Sequence, residues 1–444
     1  MLSLLAVALA AVGTSEARIG GNDNWVRPAP GQDIDMRLLQ DDANDAAQQI
    51  NLRIVGNSDG KWNYYVQFAT NNTFAAPATT CSAWTDDETI TGTGSSTTYA
   101  NLNTGGSYHN PSDIYQSPYL HKCKLEGLRP STKYFYQALT SETLSFTTPP
   151  LAGTSEVFSA VVLADVGQTN YSNMTMTRAA EALETSGASS IIWPGDLSYA
   201  DGYQPRWDTF GRLAQVLTGK GEIMWAGGNH ELSSQEAWMA YQQRYAGTGP
   251  MWFTTQRGPM TLVSLCSYCN TGTDSPQYRW LEETLPTIDR ALTPWLVVIF
   301  HAPMYCSDVS HQQEAEEMRV SMEPLFVEYG VDVVFSGHVH AYERTAPVNN
   351  YTVTECAPVH ITIGDGGNRE ETANEFYQQP EWSLERDASF GFGTFDILDA
   401  NLANWTWLRN PAGYFEFPGQ TPFPVMPDYT IVDNAIWNRT ACRT

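Results

Sequence analysis

The chain contains two regions that differ in the spacing of their apolar residues. From about residue 25 to residue 148, short segments alternate apolar and polar positions and are separated by turn-forming residues. This alternation predicts β-strands with one buried face over Gln49–Val55, Trp62–Phe68, Tyr119–Leu125, Lys133–Leu139 and Thr143–Thr147. We therefore predict a small β-sandwich over residues 25–148, followed by a linker that contains Pro149 and Pro150.

From Glu156 onwards, continuous apolar runs alternate with helix-like segments. The apolar runs are Val157–Ala164, Ser190–Trp193, Ile223–Ala226, Trp295–Phe300 and Val331–Phe335. The helix-like segments are Thr175–Glu184, Arg206–Leu217, Gln235–Arg244, Gln277–Leu285 and Ala315–Tyr329. Fully apolar strands separated by helices are typical of a parallel or mixed sheet that is covered on both faces. We therefore predict an α/β domain with a mixed-sheet βαβαβ core over residues 156–444.

Length and charge limit the classes of function. The chain has 444 residues, which exceeds the roughly 250–300 residues that one hydrophobic core spans, so two domains are expected. With 49 acidic and 24 basic residues, its formal charge is −25. Such a chain lacks the general basic surface that binds nucleic acid or an anionic membrane. The net charge does not exclude a locally positive site.

The N-terminus and the cysteines have the features of a secreted protein. The apolar run Met1–Val12 is too short to span a bilayer and precedes small residues, so we predict a signal peptide over residues 1–17. Six N-x-S/T sequons indicate a glycoprotein, at Asn71, Asn170, Asn173, Asn350, Asn404 and Asn438. Seven cysteines allow up to three disulfides and leave one thiol, and the close pair Cys266 and Cys269 favours a local disulfide over a zinc knuckle. We predict secretion, with a vacuole or lysosome as the alternative destination.

Polar residues with metal-binding groups follow each of the five apolar runs. These residues are Asp165, Asp196, Tyr199, Asn229, His301, His338 and His340. One such residue alone is typical of a helix cap or a turn, but strands of an open α/β sheet deliver their carboxyl ends to one crevice. Oxygen and imidazole donors in similar number suit hard or borderline metals. Because there are too many donors for one tetrahedral ion, we predict two ions about 3.5–4 Å apart with a bridging carboxylate.

The sequence around these residues resembles a known family. In this order, DVG, GDLSY, GNHE, VIFH and GHVH are similar to the five sequence blocks of the purple acid phosphatases, within the calcineurin-like metallophosphoesterase superfamily. Tyr119–Tyr136 resembles the last strands of the fibronectin-III-like N-terminal domain of the large, plant-type enzymes. The DxG form of the first block and the presence of Tyr199 favour this family over its relatives. The implied fold is a fibronectin-III-like β-sandwich followed by an α/β metallophosphoesterase domain.

The resemblance implies a ligand for each metal position. Fe(III) would be held by Asp165, Tyr199 and His340. A divalent Fe, Zn or Mn ion would be held by Asn229, His301 and His338. Asp196 would bridge the two ions. A phenolate from Tyr199 is a hard anionic donor suited to Fe(III), and neutral Asn229 leaves the second ion more Lewis acidic.

Two further histidines are candidates for phosphate binding and protonation of the leaving group. His230 directly follows Asn229, and His311 lies ten residues beyond His301. Many plant-type members have two adjacent histidines at the second position, whereas here Gln312 follows His311. The acidic run Glu314–Glu317 is interpreted as a solvated helix face.

The predicted reaction is hydrolysis of a small phosphate monoester. Metal coordination lowers the pKa of bound water to about 7 or below, so a metal-bound hydroxide attacks directly and no phosphoenzyme forms. Phosphodiesterase, nucleotide pyrophosphatase and phytase activities use the same metals and are the closest alternatives. A metal-binding adhesion protein without activity is a further alternative, and a homodimer is compatible with the sequence.

Overall fold

The computed structural model describes residues 15–16, 33, 46–72, 76–103, 113–373, 375–411 and 430–442. The predicted signal peptide lies outside this part of the chain, apart from Ser15 and Glu16. Within it, no helix combines the length and the apolar composition needed to cross a membrane.

Seven strands form the N-terminal region. They are β1 (Gln48–Ser58), β2 (Lys61–Thr70), β3 (Thr80–Trp84), β4 (Thr89–Thr97), β5 (Tyr119–Leu128), β6 (Lys133–Ala138) and β7 (Leu144–Thr147). The antiparallel ladder runs in the order β7-β6-β3-β4-β5-β2-β1 and folds over a core that includes Leu52, Trp62 and Tyr136. A disulfide between Cys81 on β3 and Cys123 on β5 crosses this core.

All five strands predicted in this region are present, but the sequence does not predict β3 or β4. Every residue of β4 except Ile90 is Thr, Ser or Gly, so the strand lacks an apolar face that could be recognised. The ladder continues into the next region, because Leu52 on β1 pairs in parallel with Glu222. The division between residues 148 and 156 therefore stays a prediction.

His121 on β5 is buried between two threonine hydroxyls. Its Nε2 lies 2.8 Å from Thr70 Oγ1, and its Nδ1 lies 2.7 Å from Thr79 Oγ1. Burial lowers the pKa of this imidazole to about 4. Since an unfolded histidine titrates near 6.5, the stability that neutral His121 contributes is complete above pH 6.5 and is lost as the pH falls towards 4.

We expect this residue to remove about 2 kcal/mol from the free energy of unfolding between pH 7 and pH 5. Urea unfolding of the wild type and of His121→Gln at both pH values measures the effect. The pH-dependent loss should be about 2 kcal/mol smaller in His121→Gln, because glutamine does not titrate. The same pH dependence in both proteins would contradict this assignment.

From residue 156 onwards, the described residues form two mixed sheets and four principal helices. The strands are β8 (Phe158–Val162), β9 (Ser190–Pro194), β10 (Glu222–Ala226), β11 (Phe253–Arg257), β12 (Met260–Ser264), β13 (Trp295–Ile299), β14 (Val333–Ser336), β15 (Tyr342–Thr345), β16 (Val359–Ile363), β17 (Ser383–Asp387), β18 (Gly391–Ile397), β19 (Leu402–Arg409) and β20 (Thr430–Asn438). The helices are α1 (Asn170–Ser186), α2 (Pro205–Thr218), α3 (Pro276–Thr284) and α4 (Glu316–Glu328). Two- and three-residue strands occur at Ser15–Glu16, Ala100–Leu102, Ile114–Gln116, Val348–Asn349, Thr352–Val353 and Glu375–Phe376.

The two sheets pack face to face. One has the order β10-β9-β8-β18-β19-β20 and extends the N-terminal ladder, and the other has the order β11-β12-β13-β14-β16-β15-β17. Their inner faces meet where the Phe335 ring lies 5.5 Å from Phe395 and 5.3 Å from Trp405. The apolar pattern predicted these strands in one sheet. Burial on both faces makes the five predicted strands largely apolar, so the pattern does not distinguish one sheet from two.

Four of the five predicted helices are present, and the segment Gln235–Arg244 differs. Only Met239–Tyr241 is α-helical there, and a wider helical turn follows over Gln242–Ala246. The backbone has positive φ at Ala237 and Trp238, which prevents a right-handed helix from starting earlier.

Candidate metal centre

The carboxyl ends of the parallel strands meet at one edge where the two sheets face each other. Asp165 follows β8, Asp196 and Tyr199 follow β9, and Asn229 follows β10 in the first sheet. His301 follows β13, and His338 and His340 follow β14 in the second sheet. The structure thus brings all seven predicted donors together, although they come from two sheets rather than one.

Three of the donors meet on one side of the centre. The Tyr199 hydroxyl lies 3.1 Å from Asp165 Oδ1 and 3.0 Å from His340 Nε2. His340 Nε2 is 3.5 Å from the same Asp165 oxygen. Tyr199 and Asp165 are fully buried, so these three atoms face a common point away from bulk water.

The other three donors form a second set. Asn229 Oδ1 lies 3.0 Å from His338 Nδ1 and 3.2 Å from His301 Nε2. The Nδ1 of His301 lies 2.8 Å from the carbonyl oxygen of Pro194, which directs Nε2 towards the centre. A hydrogen bond of this kind to the second ring nitrogen is the usual support for a metal-binding histidine.

Asp196 lies beside His301, a member of the second set of donors. Its Oδ2 is buried, lies 3.0 Å from His301 Nε2, and has no hydrogen-bond partner by geometry. The ion pairs of Asp165 and Asp196 within the described residues are all with histidines. Two buried carboxylates without Lys or Arg need a compensating positive charge.

The pKa of His301 is set by the same two carboxylates. Burial lowers the pKa of this imidazole, but Asp196 and Asp165 raise it more strongly, to about 9. The two carboxylates therefore make the potential negative at the point where the donors meet. The donor set fits a pair of metal ions, because cations would satisfy Asp196 Oδ2 and free the histidine lone pairs for coordination.

The backbone is strained at the positions that aim these side chains. Asp165, Asp196, Tyr199 and His338 all have φ values between 49° and 71°, a region that L-residues seldom adopt. At Gly228 a Cβ would lie 2.0 Å from Asp196 Oδ1, so a side chain there would displace the carboxylate. Strain of this kind concentrates at functional sites.

Glu231 holds the loop that carries Asp196, a role that the sequence pattern did not indicate. This buried carboxylate accepts hydrogen bonds of 2.9 Å from the backbone N–H groups of Asp196, Leu197 and Gly228. Burial and the charge of Asp196 raise the pKa of Glu231 to about 8. Its position three residues after Gly228 is the spacing of a local backbone cap, but that spacing does not indicate the bonds to the Asp196 loop.

His230 lies beside the donors with its ring 4.0 Å from the ring of Tyr199, measured between centroids. Its Nδ1 lies 2.5 Å from Asp201 Oδ1, which in turn forms an ion pair with Arg369. Nε2 is thereby directed into the site, 3.8 Å from Asp196 Oδ2. Asp201 and Arg369 position this histidine, and sequence spacing alone did not reveal either of them.

His311 lies at the rim of the site, and Glu314 lies there with it. The His311 ring is 4.8 Å from the His338 ring, and its Nδ1 lies 3.2 Å from Glu314 Oε1. Glu314 Oε2 also lies 2.6 Å from His338 Nε2, and the bond to His338 lowers the pKa of Glu314 to about 2. Glu314 is exposed, as predicted, but it lies before α4 begins, and its side chain contacts His338 as well as solvent.

Three parts of the chain match known protein families. Residues 158–342 match the family described as calcineurin-like phosphoesterase. Residues 47–161 match the purple acid phosphatase N-terminal domain, and residues 357–414 match the iron/zinc purple acid phosphatase-like protein C family. Purple acid phosphatase 18 of Arabidopsis thaliana is 33% identical over 423 residues, which cover 92% of this chain and 91% of the relative. The chain belongs to the purple acid phosphatase family.

Other purple acid phosphatases support the same membership. The Fe(3+)-Zn(2+) purple acid phosphatase 12 of Arabidopsis thaliana is 36% identical over 331 residues, covering 67% of this chain and 70% of the relative. The structure of the purple acid phosphatase PPD1 from yellow lupin seeds matches with a TM-score of 0.74 at 21% identity. That match covers 89% of this chain and 74% of the lupin chain and supports the two-domain fold.

Proposed function

We propose that this chain hydrolyses small phosphate monoesters at a centre of Fe(III) and a divalent metal ion. One observation carries the proposal: two sets of three donor atoms meet at His301, whose Nε2 lies 3.8 Å from Asp165 Oδ1 of the first set and 3.0 Å from the buried Oδ2 of Asp196. The similarity to an Fe(3+)-Zn(2+) purple acid phosphatase supports this choice of metals.

The proposed ligand assignment follows the two sets. Asp165, Tyr199 and His340 would hold Fe(III), and Asn229, His301 and His338 would hold the divalent ion. Asp196 would contribute its carboxylate to both ions. When bound, the two ions supply Lewis acidity towards the phosphoryl oxygens and make a nucleophile available near neutral pH.

The remaining residues orient the substrate and move protons. His230 presents Nε2 to the space beside Asp196, and Asp201 keeps its Nδ1 occupied, so Nε2 is the atom that protonates the leaving-group oxygen. His311 lies further out, with one third of its side chain exposed, and is assigned a contact with the substrate rather than with the reacting atoms.

The experiment that tests the proposal combines metal analysis with two substrates. We expect about one iron and one divalent ion per chain, and faster hydrolysis of p-nitrophenyl phosphate than of bis-p-nitrophenyl phosphate. A protein that binds metal but hydrolyses neither substrate would refute the proposed enzymatic activity and favour the metal-binding adhesion protein. Preference for the diester would refute the assignment as a monoesterase.

Tyr199→Phe tests the position of Fe(III). A tyrosinate–Fe(III) pair absorbs in the visible range by charge transfer, so we expect the wild type to be purple or pink and the variant to lose this band completely. The hydroxyl is also a ligand, so iron content should fall as well. Tyr65→Phe in β2 is the matched control and should keep the band. A wild type that is colourless with two zinc or two manganese ions would overturn the Fe(III) assignment.

We also propose that the chain is a secreted glycoprotein that binds no nucleic acid through a general surface and can form a homodimer. The asparagines of the six sequons all lie among the described residues, and Asn350 and Asn438 are exposed. Three disulfides, Cys81–Cys123, Cys266–Cys269 and Cys356–Cys442, suit an oxidising compartment and leave Cys306 as the free thiol. A vacuole or lysosome is the alternative destination.

A further inference from the structure

A sixth strand end contributes to the edge that carries the metal centre. β12 lies parallel to β13, and the chain leaves it as Leu265-Cys266-Ser267-Tyr268-Cys269. The cysteine spacing of this segment predicts only a local disulfide between Cys266 and Cys269. In the structure, the loop places the hydroxyl of Tyr268 3.1 Å from Asn229 Oδ1 and 3.4 Å from His338 Nδ1.

We propose that Tyr268 is a positioning residue that fixes the orientation of the Asn229 amide towards the second metal ion, and that the Cys266–Cys269 disulfide holds it there. This inference rests on the proposed function, because it concerns the ion assigned to Asn229, His301 and His338. Tyr268 thereby has a role in the part of the centre that is assigned to the second ion.

The side-chain amide of Asn229 needs a hydrogen-bond partner that keeps it in one orientation. Its oxygen and nitrogen have nearly the same shape, but only the oxygen can coordinate a cation, and the nitrogen is a donor. Three groups lie within 3.2 Å of Asn229 Oδ1: the Tyr268 hydroxyl, His301 Nε2 and His338 Nδ1. Once both imidazoles use these nitrogens for the ion, Tyr268 is the one of the three that can still donate a hydrogen bond to Oδ1. This bond favours the amide orientation that coordinates.

A disulfide and several hydrogen bonds hold the Cys266–Cys269 loop, and with it the phenol of Tyr268, in one place. The disulfide closes a four-residue loop around Tyr268. The Cys266 backbone N–H donates to Gln277 Oε1 at 2.7 Å, and Gln277 Nε2 donates to the Cys266 carbonyl oxygen at 3.1 Å. On the other side, the N–H of Ala302, the residue after His301, donates to Ser267 Oγ at 3.0 Å. The loop is therefore fastened both to α3 and to the segment that carries a metal ligand.

Tyr268→Phe removes the hydroxyl and keeps the ring. In enzyme reconstituted with Fe(III) and Zn²⁺, we expect affinity for Zn²⁺ to fall about 10–100-fold, the range typical of lost hydrogen bonds to metal ligands. Transfer of Zn²⁺ to a chelating dye measures this loss. The tyrosinate–Fe(III) band of Tyr199 should stay unchanged, because Tyr199 belongs to the other set of donors. Tyr278→Phe on α3 is the matched control and should release Zn²⁺ like the wild type.

The decisive comparison uses Asn229→Asp as a second background. A carboxylate has two equivalent oxygens, so it does not need to be oriented, and there Tyr268→Phe should change Zn²⁺ affinity by less than about threefold. An equal loss in both backgrounds would show that the ring or loop matters instead, and would overturn the proposal. Unchanged affinity in Tyr268→Phe alone would overturn it too. A wild type that binds no second ion would instead refute the proposed function.

The disulfide is tested with Cys266→Ser/Cys269→Ser. We expect this double variant to lose Zn²⁺ affinity to a similar extent, and Tyr268→Phe added to it to cause less than about threefold further loss, since the phenol is already displaced. Full additivity of the two changes would overturn the role given to the disulfide.

Discussion

Asp196→Asn is expected to abolish phosphatase activity, with a fall in kcat of at least about 10³-fold, because even one preorganised electrostatic group is typically worth 10²–10³. The carboxylate is assigned to both ions, so its loss affects both halves of the centre. Asparagine keeps the shape but removes the charge and one of two acceptor oxygens. We expect both metals to be lost, measured by elemental analysis of the purified variant.

A matched control separates this effect from a general consequence of the substitution. Asp59 lies in an exposed turn and has φ 52°, which asparagine also tolerates, so Asp59→Asn should retain both ions and full activity. Thermal unfolding should show that Asp196→Asn is folded. A folded variant with two ions and normal turnover would show that Asp196 does not bridge.

His230→Gln is expected to reduce kcat by about 10²–10³-fold, within the range usual for a positioned general acid. Nε2 of His230 faces the space beside Asp196, whereas its Nδ1 is held by Asp201. Glutamine fills a similar volume and cannot deliver a proton in the same way. Both metal ions should stay bound, because His230 is not assigned as a ligand. Steady-state kinetics as a function of pH, together with metal analysis, measures both expectations.

The comparison with His311→Gln tests the difference between the two histidines. His311 is at the rim, so its replacement should raise KM and lower kcat by less than about tenfold. A larger loss of kcat in His311→Gln than in His230→Gln would exchange the two roles. Loss of metal from His230→Gln would refute its assignment to proton transfer.

The identity of the donors could be predicted from the sequence because each follows an apolar run. Asp165 directly follows a strand-forming segment, and so does His301. Parallel strands deliver their carboxyl ends to one edge, so local order along the chain becomes proximity in space. The composition of the set, two aspartates, a tyrosine, an asparagine and three histidines, then predicts a pair of hard or borderline metals.

The residues that hold the donors in place could not be predicted in this way. Glu231 acts through backbone N–H groups of another loop, and Glu314 reaches His338 only because the chain turns at Gln313. Tyr268 lies 39 residues from Asn229 along the chain, on a strand end that contains no recognisable ligand. Such contacts depend on how loops from different strands approach each other. Neither the periodicity of apolar residues nor the spacing of residues along the chain predicts the distance between two such loops.

By itself, the sequence predicted five strands in each region, the order of the proposed metal-binding residues and the excess of acidic charge. The tertiary structure decided that the proposed donors come from two packed sheets and that their two sets meet at His301, whose Nε2 lies 3.8 Å from Asp165 Oδ1. It also decided which side chains orient them. The physical reason is that the apolar pattern of a strand predicts only that the strand is buried. Which sheet or helix packs against it depends on the packing of the whole domain.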